Sequence, residues 1–166
     1  MKTARYGVLT ALALILGYVE SLIPLPIPIP GIKLGIANLV TIVSFYLVGE
    51  RGAWLISIAR ICLSALLFGN LYSFMFSMAG GICSLLFMTL TKRTGKFSMT
   101  AVSCVGAVAH NIGQIITAAI VMKAGLILSY IPLLIIGGVV SGLIIGLLGS
   151  LIINKIKKAG VKGYEN

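Results

Sequence analysis

Acid is nearly missing from this 166-residue chain: Glu20, Glu50 and Glu165 are all of it, and there is no aspartate. Charged residues of both signs make up 10% of the sequence, where a soluble domain carries roughly 25%. With 59% hydrophobic residues and a mean hydropathy of +1.13, a soluble globular protein is excluded. Histidine occurs once, as His110, and the cysteines Cys62, Cys83 and Cys104 lie singly in three apolar segments with no CxxC pair. A disulfide framework is therefore not expected, and neither is a metal site or any other cofactor. Proline is scarce except in one place: four of the five, Pro24, Pro26, Pro28 and Pro30, alternate with Leu25, Ile27 and Ile29.

What remains is long apolar runs, the signature of bilayer-spanning helices, since lipid leaves no partner for an unsatisfied backbone amide. Charge, proline and glycine divide the chain into six predicted spans, 6–24, 34–48, 52–68, 72–91, 98–122 and 130–153. The opening "MKTARYGVLTALALILGYVES" has a basic start and an apolar run, but no small-x-small cleavage site precedes a soluble domain, so it reads as the first span. The second and third spans are short for a full crossing. The expectation is an all-α integral membrane bundle in one domain, residues 1–166, multi-pass in a bacterial plasma membrane.

Six spans put both termini on one side. Placing them in the cytoplasm leaves Lys2, Arg5, Arg51, Lys92, Arg93, Lys96, Lys155, Lys157, Lys158 and Lys162 inside, and only Lys33 and Lys123 outside. The positive-inside rule selects this orientation. The net charge of +10 then follows from topology and anionic lipid headgroups, with no nucleic-acid partner implied. Tyr6 and Trp54, near the inner ends of their spans, suit an interfacial aromatic belt.

Arg60 falls mid-span, where an isolated charge calls for a partner or a water-filled cavity. In "GAVAHNIGQIITAA", His110 and Gln114 share a helix face at i,i+4, Asn111 and Gln114 are neighbours at i,i+3, and Gly106, Ala107 and Thr117 extend that face. Such groups serve either as interhelical glue or as a ligand-contacting surface. Glu20, near the outer end of the first span, can neutralise Arg60 or Lys33, or touch substrate. On the expected topology Glu20, Asn38, Ser64, Ser77 and Gln114 lie in the outer half, with Arg60 and His110 near the midplane. Polar groups converging in an apolar setting are the usual mark of a small-molecule site.

Small residues repeat at four-residue spacing on the first span, Gly7 and Ala11, then Ala13 and Gly17, and on the last, Gly138, Gly142, Gly146 and Ser150. That spacing allows close helix approach, inside the bundle or onto a second membrane protein.

These features resemble the substrate-binding S components of energy-coupling-factor (ECF) transporters: a six-helix bundle with an Ala- and Gly-rich first helix ending in "IP", a strap-like outer loop and the following "GIKLGIANLVTI". More narrowly, "GIKLGIANL", "GERGAWLISIAR", "LLFG", "FSMAGG" and "GAVAHNIGQ" resemble the Gx transporter family, also labelled heptaprenyl diphosphate synthase component I, over residues 5–153. The two labels imply different functions. Prenyl diphosphate synthases hold magnesium with clustered aspartates, which this chain lacks, so it is not expected to be an enzyme itself; a non-catalytic accessory subunit fits the label. The S-component resemblance implies docking of the first helix, here Ala11, Ala13 and Gly17 with AxxxG in place of the usual AxxxA, onto a coupling membrane subunit served by cytoplasmic ATPases. The sequence has no GxxxxGK[ST] phosphate loop, in keeping with energy from a partner.

Two functions are thus expected. In one, the protein takes up a small, amphiphilic anionic solute, with Arg60 and Lys33 on the anion and His110, Asn111, Gln114, Glu20 and Asn38 around the remainder. In the other it recruits a soluble polyprenyl synthase to the lipid surface through "KRTGK" or the C-terminal tail. The alternating prolines force an extended strap of roughly 20 Å, long enough to cross the mouth of a small bundle, as a lid or as a plain connector.

Overall fold

The computed structural model describes residues 2–23 and 35–160. The proline strap with Pro24, Pro26, Pro28 and Pro30, and Lys33 after it, lie outside the described residues. The described chain is all helix: α1 (Lys2–Leu22), α2 (Ile36–Leu47), α3 (Gly49–Phe68), α4 (Leu71–Arg93), α5 (Met99–Val121) and α6 (Ile131–Lys158), with a single 3-10 segment, Gly125–Tyr130, leading into α6. Five of the six are long and apolar enough to cross a bilayer, which makes this a multi-pass membrane protein.

Contacts near the helix ends set the directions. Tyr6 lies against Gly52 and the rings of Tyr18 and Phe68 meet at 5.3 Å, so α1 and α3 run parallel. Glu50 at the start of α3 pairs with Arg93 at the end of α4, at 2.9 Å. Gly106 packs on Met88 while Gly80 packs on His110, and Gly149 packs on Met99 while Gly138 packs on Val108; α5 is therefore antiparallel to both α4 and α6. The start of α1 and the end of α6 consequently share one end of the bundle with Arg5, Arg51, Lys92, Arg93, Lys96, Lys155, Lys157 and Lys158. Among the described residues Lys123 is the one lysine or arginine at the opposite end.

Neighbours in space run α1, α3, α4, α5, α6, α2 and back to α1, a closed ring in which α2 also touches α3. This placement accounts for α2's length. Twelve residues rise about 18 Å, well short of a hydrocarbon core of roughly 30 Å. α2 has seven buried residues and α1, α3 and α6 packed around it, so its flanks are covered by neighbouring helices. The third span, by contrast, is not short. It begins at Gly49 and takes the charged Glu50 and Arg51 into its first turn, reaching 20 residues; apolar counting stopped at those charges.

A tight apolar core of Ile42, Phe45, Ala53, Leu85, Met88, Val102 and Ile145 fills the basic half of the bundle. Trp54, half-buried, packs against this cluster near the start of α3. Lys92 covers the core's end, its ammonium 4.8 Å from the Phe45 ring centre and 4.9 Å from that of Tyr46. The glycine repeat of α6 serves internal packing: a Cβ on Gly142 would stand 2.5 Å from Cys104 Cα, and one on Gly146 2.6 Å from Thr100 Cα. Only a residue without a side chain lets the two backbones come that close.

Candidate functional site

Away from the core of the basic half, Glu20, Asn38, Arg60, Ser64, Ser77, His110, Asn111 and Gln114 border two adjoining cavities of about 160 and 60 Å³. Glu20, Ala37, Arg60 and Ser77 border both, so the cavities share one wall. The larger extends between α1, α3 and α4, past Ser64, Ser73 and Phe74. The smaller reaches α5 and α6, past Asn38, His110, Asn111, Gln114 and Ser141.

Arg60 sits just past the middle of α3, in the spot where a charge is costly in a bilayer. Its Nε is buried and has no hydrogen-bond partner among the described residues. A buried donor left unmade is expensive, and the structure supplies polar space beside it in place of a fixed partner. The carboxylate of Glu20, which borders the same cavities, offsets the guanidinium charge.

Glu20 itself has a structural task. Gly35 takes a left-handed conformation, φ 77°, ahead of α2, and no side chain there caps the helix. Glu20, 6% exposed, fills the gap: its Oε1 accepts from Gly35 N at 2.5 Å and its Oε2 lies 3.4 Å from Ala37 N. A carboxylate at a helix N-terminus satisfies free amides and complements the dipole. Beyond the roles open to it from sequence, neutralising Arg60 or Lys33 or touching substrate, Glu20 thus ties α1 to α2, and it borders both cavities.

Of the face expected on α5, His110, Gln114 and Ala107 border the smaller cavity, whereas Gly106 packs on Met88 of the core and the Thr117 hydroxyl donates to Gly113 O of its own helix. His110 and Gln114 both lie against Gly80 of α4, where an added Cβ would come within 3.0 Å of His110 Cε1 and 2.7 Å of Gln114 Cγ. Gly80 therefore keeps room for the two side chains at the cavity. Asn111 divides its duties: it borders the smaller cavity while its Nδ2 donates to Leu134 O of α6 at 2.9 Å. Asn38 borders the same cavity from α2. Ser73 and Ser141 were not singled out from sequence, although Ser73 stands four residues before Ser77, on one face of α4.

The expected docking residues do not form one face. Ala13 is fully buried and Gly17 packs on Ala37 of α2, its Cβ position 3.5 Å from that side chain's, whereas Ala11 is exposed. The Ala13 and Gly17 pair thus serves packing of α1 inside the bundle, since residues two apart on a helix point nearly opposite ways.

The family model for heptaprenyl diphosphate synthase component I matches residues 9–152, which holds all six helices' cavity-lining residues. The chain belongs to this family. Comparison with curated proteins and with solved structures finds no match. The family match covers Glu20, Arg60 and the α5 cluster alike, so the cavity lies within the part of the chain that defines membership.

Proposed function

We propose that this chain is a non-catalytic membrane subunit that binds the anionic head of a small amphiphile beside Arg60. The observation that carries the reading is a buried arginine nitrogen without a hydrogen-bond partner among the described residues, at the wall of a polar cavity. Ser64, Ser73, Ser77, His110 and Gln114 offer hydrogen bonds to the rest of the head, and Glu20 balances the charge while the site is empty. The basic end faces the cytoplasm by the positive-inside rule, so the cavity lies toward the outer leaflet.

The family description, a synthase component, speaks for a partner subunit, and the partner it favours is a soluble polyprenyl diphosphate synthase held at the membrane. The exposed basic residues Lys96, Lys157 and Lys158 are at the end where such a partner would dock. A second reading has the same cavity load a solute for uptake, powered by an ECF-type coupling subunit and its ATPases; the outward position of the cavity supports it. Affinity purification from membranes separates them. Recovery of a prenyl synthase supports the first reading, recovery of ATPases with a coupling subunit supports the second, and recovery of neither rejects both partner assignments.

A further inference from the structure

The cavity at Arg60 is too small for a whole amphiphile: about 160 Å³, against roughly 300 Å³ at the low end for ligand sites. A bound head must leave its tail somewhere else. The walls differ in how they could let it out. The α1/α3 seam is shut by the contact of Tyr18 and Phe68. The α4/α5 seam is shut where Gly80 meets His110 and Gln114, and the α5/α6 seam where Asn111 bonds Leu134 O. The α3/α4 seam is closed deeper in the bundle, where Gly81 packs on Ile61, but toward the far end it changes character.

There an apolar groove of about 440 Å³ runs along the outside of α3 and α4, lined by Cys62, Leu66, Leu71 and their neighbours. Two of its lining residues, Ala65 and Phe74, also line the Arg60 cavity. Polar chamber and apolar groove thus lie on the two sides of a partition that Ala65 and Phe74 help to form. Another apolar groove, on α5 around Val105 and Ile112, shares no lining residue with either polar cavity.

We infer that the amphiphile passes between Ala65 and Phe74, its anionic head at Arg60 and a single apolar chain lying in the α3/α4 groove, open to the bilayer. The inference rests on the head-binding reading above and adds the route, the chain's seat and the one-chain limit. Two residues, Ala65 and Phe74, border both spaces and the seam is closed deeper in at Ile61, and on this basis the passage is assigned to a single chain. Uptake in this arrangement starts from the membrane and not from water.

The test uses the full chain in phosphatidylcholine nanodiscs and decyl phosphate carrying a photoreactive diazirine at its tail end. Irradiation should place adducts on Leu66, Leu71 or Phe74. Excess methyl phosphate, which has the head and no tail, should suppress them about tenfold, as should Arg60→Gln. The competition arm keeps the result readable even if the variant folds poorly. Head-sensitive adducts on another face, such as the α5 groove, would overturn the route and leave the head site standing. Adducts insensitive to methyl phosphate and to Arg60→Gln would overturn the head site, and the route with it. Phosphatidic acid at the same mole fraction should leave the adducts in place; equal suppression by this two-chain lipid would overturn the one-chain limit.

Discussion

The Glu20 carboxylate, at the end of α1, accepts a hydrogen bond from Gly35 N at 2.5 Å, so a residue fifteen positions upstream caps α2. α2 has no cap of its own, and its free amides lie where no lipid could satisfy them. The same carboxylate balances Arg60. One acidic residue therefore holds a helix in place and offsets a cation in mid-span, in a chain that has only three.

Removing this cap should cost stability before anything else. Glu20→Ala is expected to lower folding stability by about 1–2 kcal/mol. Hydrogen exchange should speed up at the start of α2 and little elsewhere. Glu20→Gln, which keeps an acceptor oxygen, should lose less. Denaturation in mild detergent followed by circular dichroism gives the stabilities; equal losses for both variants would mean that charge and not capping is what α2 needs.

Asn111 should behave as a structural residue. Its amide donates to Leu134 O, and such bonds within membranes are worth about 0.6 kcal/mol on average. Asn111→Ala is expected to cost roughly that much stability and to change decyl phosphate affinity less than threefold. A large affinity loss at unchanged stability would move Asn111 into the ligand-binding set.

Close packing of α6 on α5 gives a paired comparison. Gly142→Ala places a methyl 2.5 Å from Cys104 Cα and should cost about 1–3 kcal/mol. Gly137→Ala meets nothing within 4 Å and should be neutral or slightly stabilising. Thermal unfolding of the two purified variants side by side is the measurement, and similar midpoints would contradict the packing described.

Much of this architecture is readable along the chain because bilayer physics leaves few options. Runs of apolar residues mark the helices, and the i,i+4 spacing of His110 and Gln114 is enough to place both on one wall of a cavity. What was not readable depends on contacts between segments distant in sequence. Small residues look alike whether they face a sister helix or a partner, so Ala13 and Gly17 suggested docking although they pack inside. The charges of Glu50 and Arg51 hid the first turn of α3, because hydropathy counts them against a span while Arg93 pairs with one of them in the folded chain. Glu20 as the cap of α2, and the shared partition at Ala65 and Phe74, follow only from how α1 meets α2 and α3 meets α4.

The site itself rests on Arg60. A hydrogen bond to a charged group contributes about 1.5–3 kcal/mol, so losing the guanidinium should weaken an anion's binding roughly tenfold to a hundredfold. Titration calorimetry of decyl phosphate into nanodisc-embedded protein, native and Arg60→Gln, measures this directly. The expected result is a loss of that size with folding intact by circular dichroism; equal affinity in the two proteins would contradict an anion site at Arg60.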